Sequence, residues 1–388
     1  MTPTLKIALL TYSTKPRGSV IHTLELANAL SALGHQVCVY ALDKDSSGFD
    51  WDLACECCLI AARPAADAID LLIHQRIQEF MEALQSGRRY DLYHAQDCIG
   101  ANALIQLRQA QSGFGPIVRT VHHIEGFSSP YLQQCQEKSI RLPDLCLCVS
   151  DRWQQVLAQD YGIHAPKVLN GIDLRRFSPQ PSGQEALIRQ RYGITTRPTF
   201  LTVGGIEPRK NSVALLQAFA QVRQQLPTAQ LIVAGGATLF DYQPYRQQFF
   251  QLAEQLSIVL GESLLLPGVI PQADLPALYR SADVFVFPST REGWGLVVLE
   301  AIACGLPVIT SNQGPFTEFL SPHQAALVNP KDAGAIAKAM LRLVNPYVAD
   351  FLVSSSQRIL RQYTWQRSAQ MHLDAYAKIM TLPAQFQT

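Results

Sequence analysis

The sequence predicts an α/β fold in which two Rossmann-like domains carry parallel sheets that face each other across a cleft. Through most of the 388 residues, short apolar runs alternate with amphipathic stretches, which is typical of strands and their covering helices. Between about residues 170 and 197 proline, glycine and polar residues interrupt this alternation and indicate a domain connection. Such sheets bind ligands at the carboxyl ends of their strands, so we expect functional residues there.

The first half of the chain predicts a sheet with helices between its strands. Residues 5–12 form the first strand, and residues 19–33 form a helix that ends at Gly34, a residue suited to a left-handed helix terminus. Further strands are predicted at residues 36–42, 92–94, 117–121 and 145–149, and a second helix at 69–84. The N-terminal Rossmann-like domain is therefore placed at residues 1–172.

The second half repeats this pattern after a short helix predicted at residues 185–192. Strands are predicted at 199–203, 230–234, 264–266, 282–288 and 306–310, and helices at 213–224, 245–256, 275–281 and 333–344. The tail from residue 354 is predicted to be helical, with Phe351, Trp365, Leu373 and Tyr376 as apolar anchors. The second Rossmann-like domain is therefore placed at residues 173–364.

Composition excludes several classes of protein. The 32 basic and 31 acidic residues leave a net charge of +1, which gives no indication of nucleic-acid binding. No apolar run approaches the ~18 residues that span a bilayer. The N-terminal apolar run resembles a strand rather than a signal peptide. We therefore expect a cytoplasmic protein, with peripheral attachment to the inner membrane left open.

The nine cysteines predict neither a metal site nor a disulfide framework. Cys146, Cys148 and Cys304 lie in apolar surroundings that favour small buried thiols. Cysteines also cluster at positions 55, 57 and 58, but the sequence has no second cluster at ligand spacing. No bound metal and no cofactor are expected.

Residues 289–310, STREGWGLVVLEAIACGLPVIT, carry the strongest functional signal. Apolar runs on either side predict strand, loop, helix and strand, with Glu292 in the loop and Glu300 inside the helix. Gly293 and Gly295 let the backbone approach a ligand, and the free amides of a helix start attract phosphate. Because carboxylates accept hydrogen bonds from sugar hydroxyls, the combination predicts a nucleotide sugar.

A second loop, GGIEPRKN at residues 204–211, follows the first strand of the second domain. The fork of Arg209 can bind phosphate oxygens and Lys210 adds a point charge, so the pair could neutralise a diphosphate leaving group. Taken alone, the two cations fit a solvated loop equally well. Together with residues 289–310, they favour the diphosphate.

Polar residues also follow strands of the first domain. Gly18 opens the first helix after Arg17 and offers backbone amides to an anion or a hydroxyl. His94 and His122 follow two neighbouring strands and are expected to face the cleft, where His122 could bind a transferring sugar. Asp97 could hold an acceptor hydroxyl, or it could cap the helix that begins near Gly100.

The chain has neither a dinucleotide-binding G-x-G-x-x-G nor a Walker loop in the required context, which argues against a dehydrogenase and against a P-loop enzyme.

With these motifs the chain resembles the retaining glycosyltransferases of the GT-B fold, in particular the large family four, the glycosyl transferases group 1. The resemblance covers nearly the whole chain, including Asn170-Gly171-Ile172-Asp173. Its most specific part is the E-x7-E spacing of Glu292 and Glu300 in EGWGLVVLEAIACGLPVI. It implies that the C-terminal helix, about residues 365–388, completes the first domain, which would bind the acceptor while the second binds the donor.

The resemblance also implies a role for each matching residue. Glu292 would contact hydroxyls of the donor sugar and Glu300 the ribose. The distal phosphate would be held by amides near Gly295, Leu296 and Val297, with Arg209 and Lys210 across from them. The remaining residues implied to bind the nucleotide sugar are Gly18, Gly205, Gly268, Val269 and Ile270, with His122 at the reacting centre. The basic pair and the helix start would replace a divalent metal.

We therefore expect retaining transfer of a hexose from a nucleoside diphosphate sugar to an acceptor hydroxyl on a small molecule or glycan. The acceptor would bind variable loops at residues 43–68 and 124–136, where Phe127 and Tyr131 could stack on a ring. Two alternatives remain open: a non-hydrolysing sugar-nucleotide epimerase and a catalytically silent nucleotide-sugar-binding protein. The sequence departs from the family pattern at Ser19, Trp294 and His123, and the last leaves open which histidine faces the cleft.

Overall fold

The computed structural model describes residues 3–85, 87–236 and 242–380. Its contacts divide the chain into two compact units. Unit 1 is Met1–Gly171 with Tyr363–Thr388, and unit 2 is Ile172–Gln362. Of the C-terminal helix expected at about 365–388, the last eight positions, 381–388, lie outside the described residues.

Unit 1 contains a six-stranded sheet in which every pair of neighbouring strands is parallel. The strands are β1 (Lys6–Thr11), β2 (Gln36–Asp43), β3 (Glu56–Ala61), β4 (Leu92–Ala95), β5 (Ile117–Val121) and β6 (Leu145–Cys148), in the order β3-β2-β1-β4-β5-β6. The helices are α1 (Gly18–Ala32), α2 (Ile69–Gln85), α3 (Cys98–Ala110), α4 (Pro130–Arg141), α5 (Asp151–Tyr161) and the C-terminal helix Trp365–Met380.

Alternation along β1 explains why helices cover both faces of this sheet. Ala8 and Leu10 belong to the core that packs on α2 and α3, whereas Ile7 and Leu9 belong to the core of α1 and the C-terminal helix. All four side chains are fully buried. A buried parallel strand is apolar on both faces, so its sequence is a continuous run.

Several helices and strands of unit 1 were not predicted from the sequence. The loop expected at residues 43–68 contains the edge strand β3, and the loop expected at 124–136 contains the start of α4. Phe127 and Tyr131 pack against the core of unit 1 and are half-buried, so they are not free surface aromatics. Helix α5 was also missed, because among its residues only Trp153 and Leu157 are buried.

Unit 2 contains a second six-stranded parallel sheet. The strands are β7 (Thr199–Val203), β8 (Gln230–Ala234), β9 (Leu264–Gly268), β10 (Val284–Phe287), β11 (Val308–Ser311) and β12 (Ala326–Val328), in the order β12-β11-β10-β7-β8-β9. The helices are α6 (Glu185–Arg191), α7 (Ser212–Gln225), α8 (Gln243–Gln255), α9 (Leu275–Ser281), α10 (Leu296–Ala303), α11 (Ala333–Leu343) and α12 (Pro346–Ser356).

The tail of the chain differs from its prediction in two respects. The expected helix from residue 354 is replaced by the end of α12, a 3-10 segment at Gln357–Gln362 and the C-terminal helix. Phe351, expected to anchor the tail, is 57% exposed on α12, whereas Trp365 and Tyr376 are buried as expected. Phe351 was misassigned because an aromatic residue in an amphipathic stretch is usually, but not always, on the buried face.

The order of the strands in unit 2 brings the two predicted functional loops together. β7 and β10 are neighbours, with Phe200 opposite Val284 and Leu201 opposite Phe285. Both strands run in the same direction, so the loop after β7 and the loop after β10 leave the sheet at the same edge. These are the loops that carry Arg209 and Lys210 and, on the other side, Glu292.

Candidate functional site

Backbone and hydroxyl contacts join the two loops of unit 2. The backbone amide of Thr290 donates to the carbonyl of Arg209 at 2.8 Å, and the Ser289 hydroxyl donates to the same carbonyl at 2.7 Å. Asn211, which has φ 63° at the start of α7, donates its side-chain amide to the carbonyl of Pro288 at 3.1 Å. The loop that carries the cations is therefore fixed to the loop that carries Glu292.

Glu292 accepts three hydrogen bonds on one oxygen atom. Its Oε1 lies 2.7 Å from the Lys210 ammonium, 3.2 Å from the Arg209 guanidinium and 2.8 Å from the Ser289 hydroxyl. The side chain of Glu292 is 10% exposed, and those of Lys210 and Arg209 are 14% and 34% exposed. The structure thus brings together three residues that the sequence predicted on two separate motifs.

The charges of this group favour an ionised carboxylate. Burial raises the pKa of Glu292, but the neighbouring charges of Lys210 and Arg209 outweigh it, so the pKa lies below its ordinary value. Burial also lowers the pKa of Lys210, against the attraction of Glu292. Because the carboxylate lies 2.7 Å from the ammonium, both groups of the pair are charged.

Two further contacts hold the cations in place. Nε of Arg209 lies 2.9 Å from Oε2 of Glu207, which is buried. The Lys210 ammonium lies 4.5 Å from the centre of the Phe287 ring, within the range of a cation–π interaction. Both cations are therefore oriented by fixed partners, and the partly exposed guanidinium remains accessible to an anion.

The helix start at Gly295 has the geometry of an anion site. Gly295 has φ 133°, and a Cβ atom there would lie 2.8 Å from the Phe316 ring, so only glycine fits. No described residue accepts a hydrogen bond from the amides of Leu296 or Val297, the first two residues of α10. These amides and the dipole of the helix are suited to hold a phosphate.

Glu300 lies inside α10 and is 7% exposed. Its Oε2 atom accepts from the hydroxyl of Tyr279 at 2.7 Å. Burial raises the pKa of Glu300, while the hydrogen bond from Tyr279 and the charge of Arg176 oppose the increase. Tyr279 therefore orients a carboxylate that can accept hydrogen bonds from a ligand.

The ends of β7, β8 and β9 approach each other closely. A Cβ atom on Gly205 would lie 2.5 Å from the carbonyl oxygen of Gly236, and one on Gly236 would lie 2.5 Å from the Val269 side chain. Val269 is 60% exposed, whereas Ile270 is buried, and Gly268 between strand and loop has φ 76°. The predicted residues Gly205, Gly268, Val269 and Ile270 therefore lie at one edge of the sheet of unit 2.

Gly18 and His122 belong to unit 1. Gly18 begins α1, and a Cβ atom there would meet nothing within 4 Å. His122 follows β5, is partly exposed, and its Nε2 lies 2.8 Å from Oε1 of Gln96. His123 differs, since its Nε2 lies 2.7 Å from Oε1 of Glu125 and its ring packs on Trp153.

The expectation that His94 faces a cleft needs correction, and the structure shows one of the two roles expected of Asp97. His94 is fully buried, with its ring nitrogens bonded to Tyr376, Thr120 and Gln96, so it does not lie on an open surface. The reason is that its strand, β4, is covered on this face by the C-terminal helix. Asp97 caps α3 by accepting from the amide of Gly100 at 2.8 Å, which is the second of the two predicted roles.

Sequence reasoning missed the partners of the predicted residues. In unit 1 the ring of His22, on α1, lies edge-on to that of His122 with centroids 4.7 Å apart, and its Nδ1 lies 2.6 Å from Oδ1 of Asn170. Gln96, between His94 and Asp97 in the sequence, was given no role. In unit 2 Tyr279 lies outside the predicted motifs, and Ser289, the first residue of the segment 289–310, was given no role. Each acts through a long-range contact, which leaves no local pattern in the sequence.

The described residues contain no group of three or more histidine, cysteine, aspartate or glutamate side chains arranged to hold a metal ion. Among the helices of those same residues, none has the length and apolar character needed to cross a bilayer. Cys57 is exposed on β3, and the thiols of Cys146, Cys148 and Cys304 are buried.

Comparisons with known proteins agree with this geometry. The family described as Glycosyl transferases group 1 matches residues 184–352, and Glycosyltransferase Family 4 matches residues 16–176. An O-antigen chain mannosyltransferase B of Escherichia coli is 28% identical over 79% of this chain and 78% of its own length. A GDP-mannose-dependent phosphatidylinositol monomannoside mannosyltransferase of Mycolicibacterium smegmatis is 34% identical, but the match spans only 44% of either protein.

Solved structures show the same fold. A sucrose-phosphate synthase of Thermosynechococcus elongatus superposes with a TM-score of 0.79 at 24% identity, covering 96% of this chain and 98% of that one. An Anabaena protein solved with UDP and glucose gives a TM-score of 0.75 at 21% identity, covering 96% of this chain and 99% of that one. With its two parallel α/β sheets and its family matches, the chain belongs to the group 1 glycosyltransferases, enzymes that use nucleotide sugars, and has the two-domain GT-B fold.

Proposed function

We propose that this enzyme transfers a hexose from a nucleoside diphosphate sugar to an acceptor hydroxyl with retention of the anomeric configuration. The observation that carries the proposal is the joining of Arg209, Lys210 and Glu292 in unit 2, beside the helix start at Gly295. Cations, free helix amides and a carboxylate are the groups that a sugar diphosphate requires. The mannosyltransferase names of the relatives support a hexose.

In this proposal unit 2 binds the donor. Arg209 and Lys210 neutralise the diphosphate together with the amides of Leu296 and Val297, and Glu292 accepts hydrogen bonds from hydroxyls of the sugar. Glu300, oriented by Tyr279, binds the ribose. The nucleobase lies against the backbone of residues 268–270, with Gly205 leaving room for the phosphates.

The positive charge of Arg209 and Lys210 would stabilise the leaving group. The bond between the anomeric carbon and the diphosphate breaks, and the sugar becomes oxocarbenium-like. The acceptor oxygen then attacks from the face that the diphosphate leaves, and its proton passes to the departing phosphate. No protein nucleophile is needed, and preorganised charges supply most of the stabilisation. A bound divalent metal has no part in this scheme.

Unit 1 would bind the acceptor. His122 is neutral, because burial lowers its pKa well below 6.5, and it would accept a hydrogen bond from a hydroxyl of the transferring sugar. Gly18, with open space at its Cα atom, would let the start of α1 approach the substrate. Residues 43–68 and 124–136 would contribute to acceptor selection.

Product analysis tests the proposal. The enzyme is incubated with GDP-mannose, UDP-glucose or ADP-glucose, with and without EDTA, and with a panel of hydroxyl-bearing acceptors, and the product is analysed by NMR. We expect an α-linked product from an α-linked donor, in the presence of EDTA as well. A β-linked product would contradict retention. Conversion of the nucleotide sugar to its epimer without acceptor would instead identify an epimerase, and binding without turnover a silent binding protein.

A further inference from the structure

A chain of hydrogen bonds runs from His122 into the core of unit 1. Gln96, which is 1% exposed, lies between two histidines: its Oε1 is 2.8 Å from Nε2 of His122, and its Nε2 is 3.2 Å from Nε2 of His94. The mechanism proposed above gives no role to this glutamine. An amide oxygen only accepts hydrogen bonds and an amide nitrogen only donates them, so the orientation of Gln96 determines the protonation of both rings.

The other contacts of His94 agree with this orientation. The Gln96 amide nitrogen donates, so Nε2 of His94 must accept, and the Thr120 hydroxyl at 2.8 Å can donate to the same atom. The neutral ring then carries its proton on Nδ1, which donates to the Tyr376 hydroxyl at 2.7 Å. His94, Thr120 and Tyr376 are fully buried, so this part of the network is rigid.

We propose that Gln96 is a positioning residue that fixes His122 as the tautomer with its proton on Nε2, so that Nδ1 is left as a hydrogen-bond acceptor for substrate. The inference rests on the proposed function of His122. No hydrogen bond from a described residue reaches its Nδ1 atom, so this atom can accept from a sugar hydroxyl. A ring free to exchange tautomers would present an N–H in its place for part of the time.

The surroundings keep this ring uncharged. Burial lowers the pKa of His122, and positive charge on His22, Arg119, His94 or His372 opposes protonation further. These groups come from α1, β5, β4 and the C-terminal helix. A neutral ring carries one N–H proton. If the acceptor at Nε2 holds that proton there, Nδ1 is left as a hydrogen-bond acceptor.

The test combines NMR of the imidazole nitrogens with kinetics of two variants. In the wild-type protein we expect the 15N resonances of His122 to show a protonated Nε2 and an unprotonated Nδ1. Gln96→Glu keeps the acceptor for Nε2, so it keeps the tautomer, but its negative charge raises the pKa of His122 and adds an acid limb to the pH profile of kcat. Gln96→Ala loses the fixed tautomer and lowers kcat about 10- to 100-fold at every pH, with little change in donor KM.

Gln230→Glu is the matched control, because Gln230 is a buried glutamine of unit 2 whose amide also joins several groups. We expect it to change stability without adding an acid limb or altering the His122 resonances. A protonated Nδ1 of His122 in the wild-type protein would overturn the proposal. This measurement needs no variant, so it remains available if a variant fails to fold. Equal pH profiles for wild type and Gln96→Glu would overturn it as well. Normal transfer by His122→Ala would instead refute the proposed function of His122, and the wild-type tautomer would still report on Gln96.

Discussion

The ammonium of Lys210 and the carboxylate of Glu292 lie 2.7 Å apart, although 82 residues separate them in the sequence. The pair exists because β7 and β10 are neighbours in the sheet of unit 2. Without a ligand, Glu292 orients the cations and offsets their charge. A bound diphosphate would share those cations, and the carboxylate would turn its remaining hydrogen-bonding capacity to the sugar.

Removing the charge of Lys210 is expected to slow transfer. Lys210→Ala, and separately Arg209→Ala, should lower kcat by roughly two to three orders of magnitude, the cost of losing one preorganised charge stabiliser. Steady-state transfer from the preferred donor measures the effect. Lys338→Ala is the control, since Lys338 is an exposed lysine on α11. Near-normal transfer by both site variants would show that the basic pair has no part in catalysis.

Loss of the Tyr279 hydroxyl is expected to weaken nucleotide binding. Tyr279→Phe keeps the buried ring but removes the hydrogen bond to Glu300, so the carboxylate loses its orientation. A hydrogen bond to a charged group contributes about 1.5 to 3 kcal/mol, and donor KM should rise about 10-fold or more while kcat changes less. Tyr245→Phe is a matched control, because that hydroxyl accepts from the amide of Val213. An equal rise in KM for both variants would rule out a specific role for Tyr279.

The variant Gly18→Ala tests whether substrate approaches Gly18, because the substitution is not expected to disturb folding. The added methyl group meets no atom within 4 Å and Gly18 does not have a left-handed backbone, so the melting temperature should not fall. If substrate approaches the start of α1, kcat/KM should fall about 10-fold or more, because a small displacement of a bound substrate is costly. Unchanged kcat/KM in a variant of unchanged stability would place the substrate elsewhere.

Buried histidines make unit 1 sensitive to acid. Burial lowers the pKa of His22 to about 4, against the opposing hydrogen bond to Asn170, and that of His372 to about 3. An unfolded histidine binds its proton near pH 6.5, so below that pH the unfolded state binds more protons and stability falls as pH falls. Between pH 7 and pH 5 each of these residues should remove about 2 kcal/mol from the free energy of unfolding.

Urea unfolding at several pH values, followed by tryptophan fluorescence, measures this loss. His22→Gln should show a weaker dependence on pH than wild type, by about 2 kcal/mol over the same interval. His164→Gln replaces an exposed histidine and should behave as wild type. The same pH dependence in all three proteins would mean that His22 is not protonated more easily on unfolding.

The parallel strands and the two functional loops were predictable because each depends on local sequence. The continuous apolar runs predicted the bounds of β5, β7 and β8 as the structure has them. Glu292 was correctly predicted in a loop and Glu300 in a helix. The edge strand β3 was missed because most of its residues are exposed and it lacks a buried apolar run. Helix α4 was missed for a similar reason, since polar residues fill its outer face.

The contacts between motifs could not be predicted. The Lys210–Glu292 pair depends on strand order, which a single sequence does not determine. The histidine network depends on the C-terminal helix, whose His372 and Trp365 approach His22 of α1. His94 was therefore expected at an open strand end, whereas tertiary packing buries it.

Calorimetric titration of the nucleoside diphosphates UDP, GDP and ADP tests the central claim, that the loops after β7 and β10 bind the diphosphate of a nucleotide sugar. We expect at least one of them to bind the wild-type protein and Lys338→Ala with equal affinity, and to bind Lys210→Ala about 10- to 100-fold more weakly, since a charged hydrogen bond is lost. Equal affinity of the same diphosphate for Lys210→Ala and wild type, or no binding of any diphosphate to the wild-type protein, would contradict the claim.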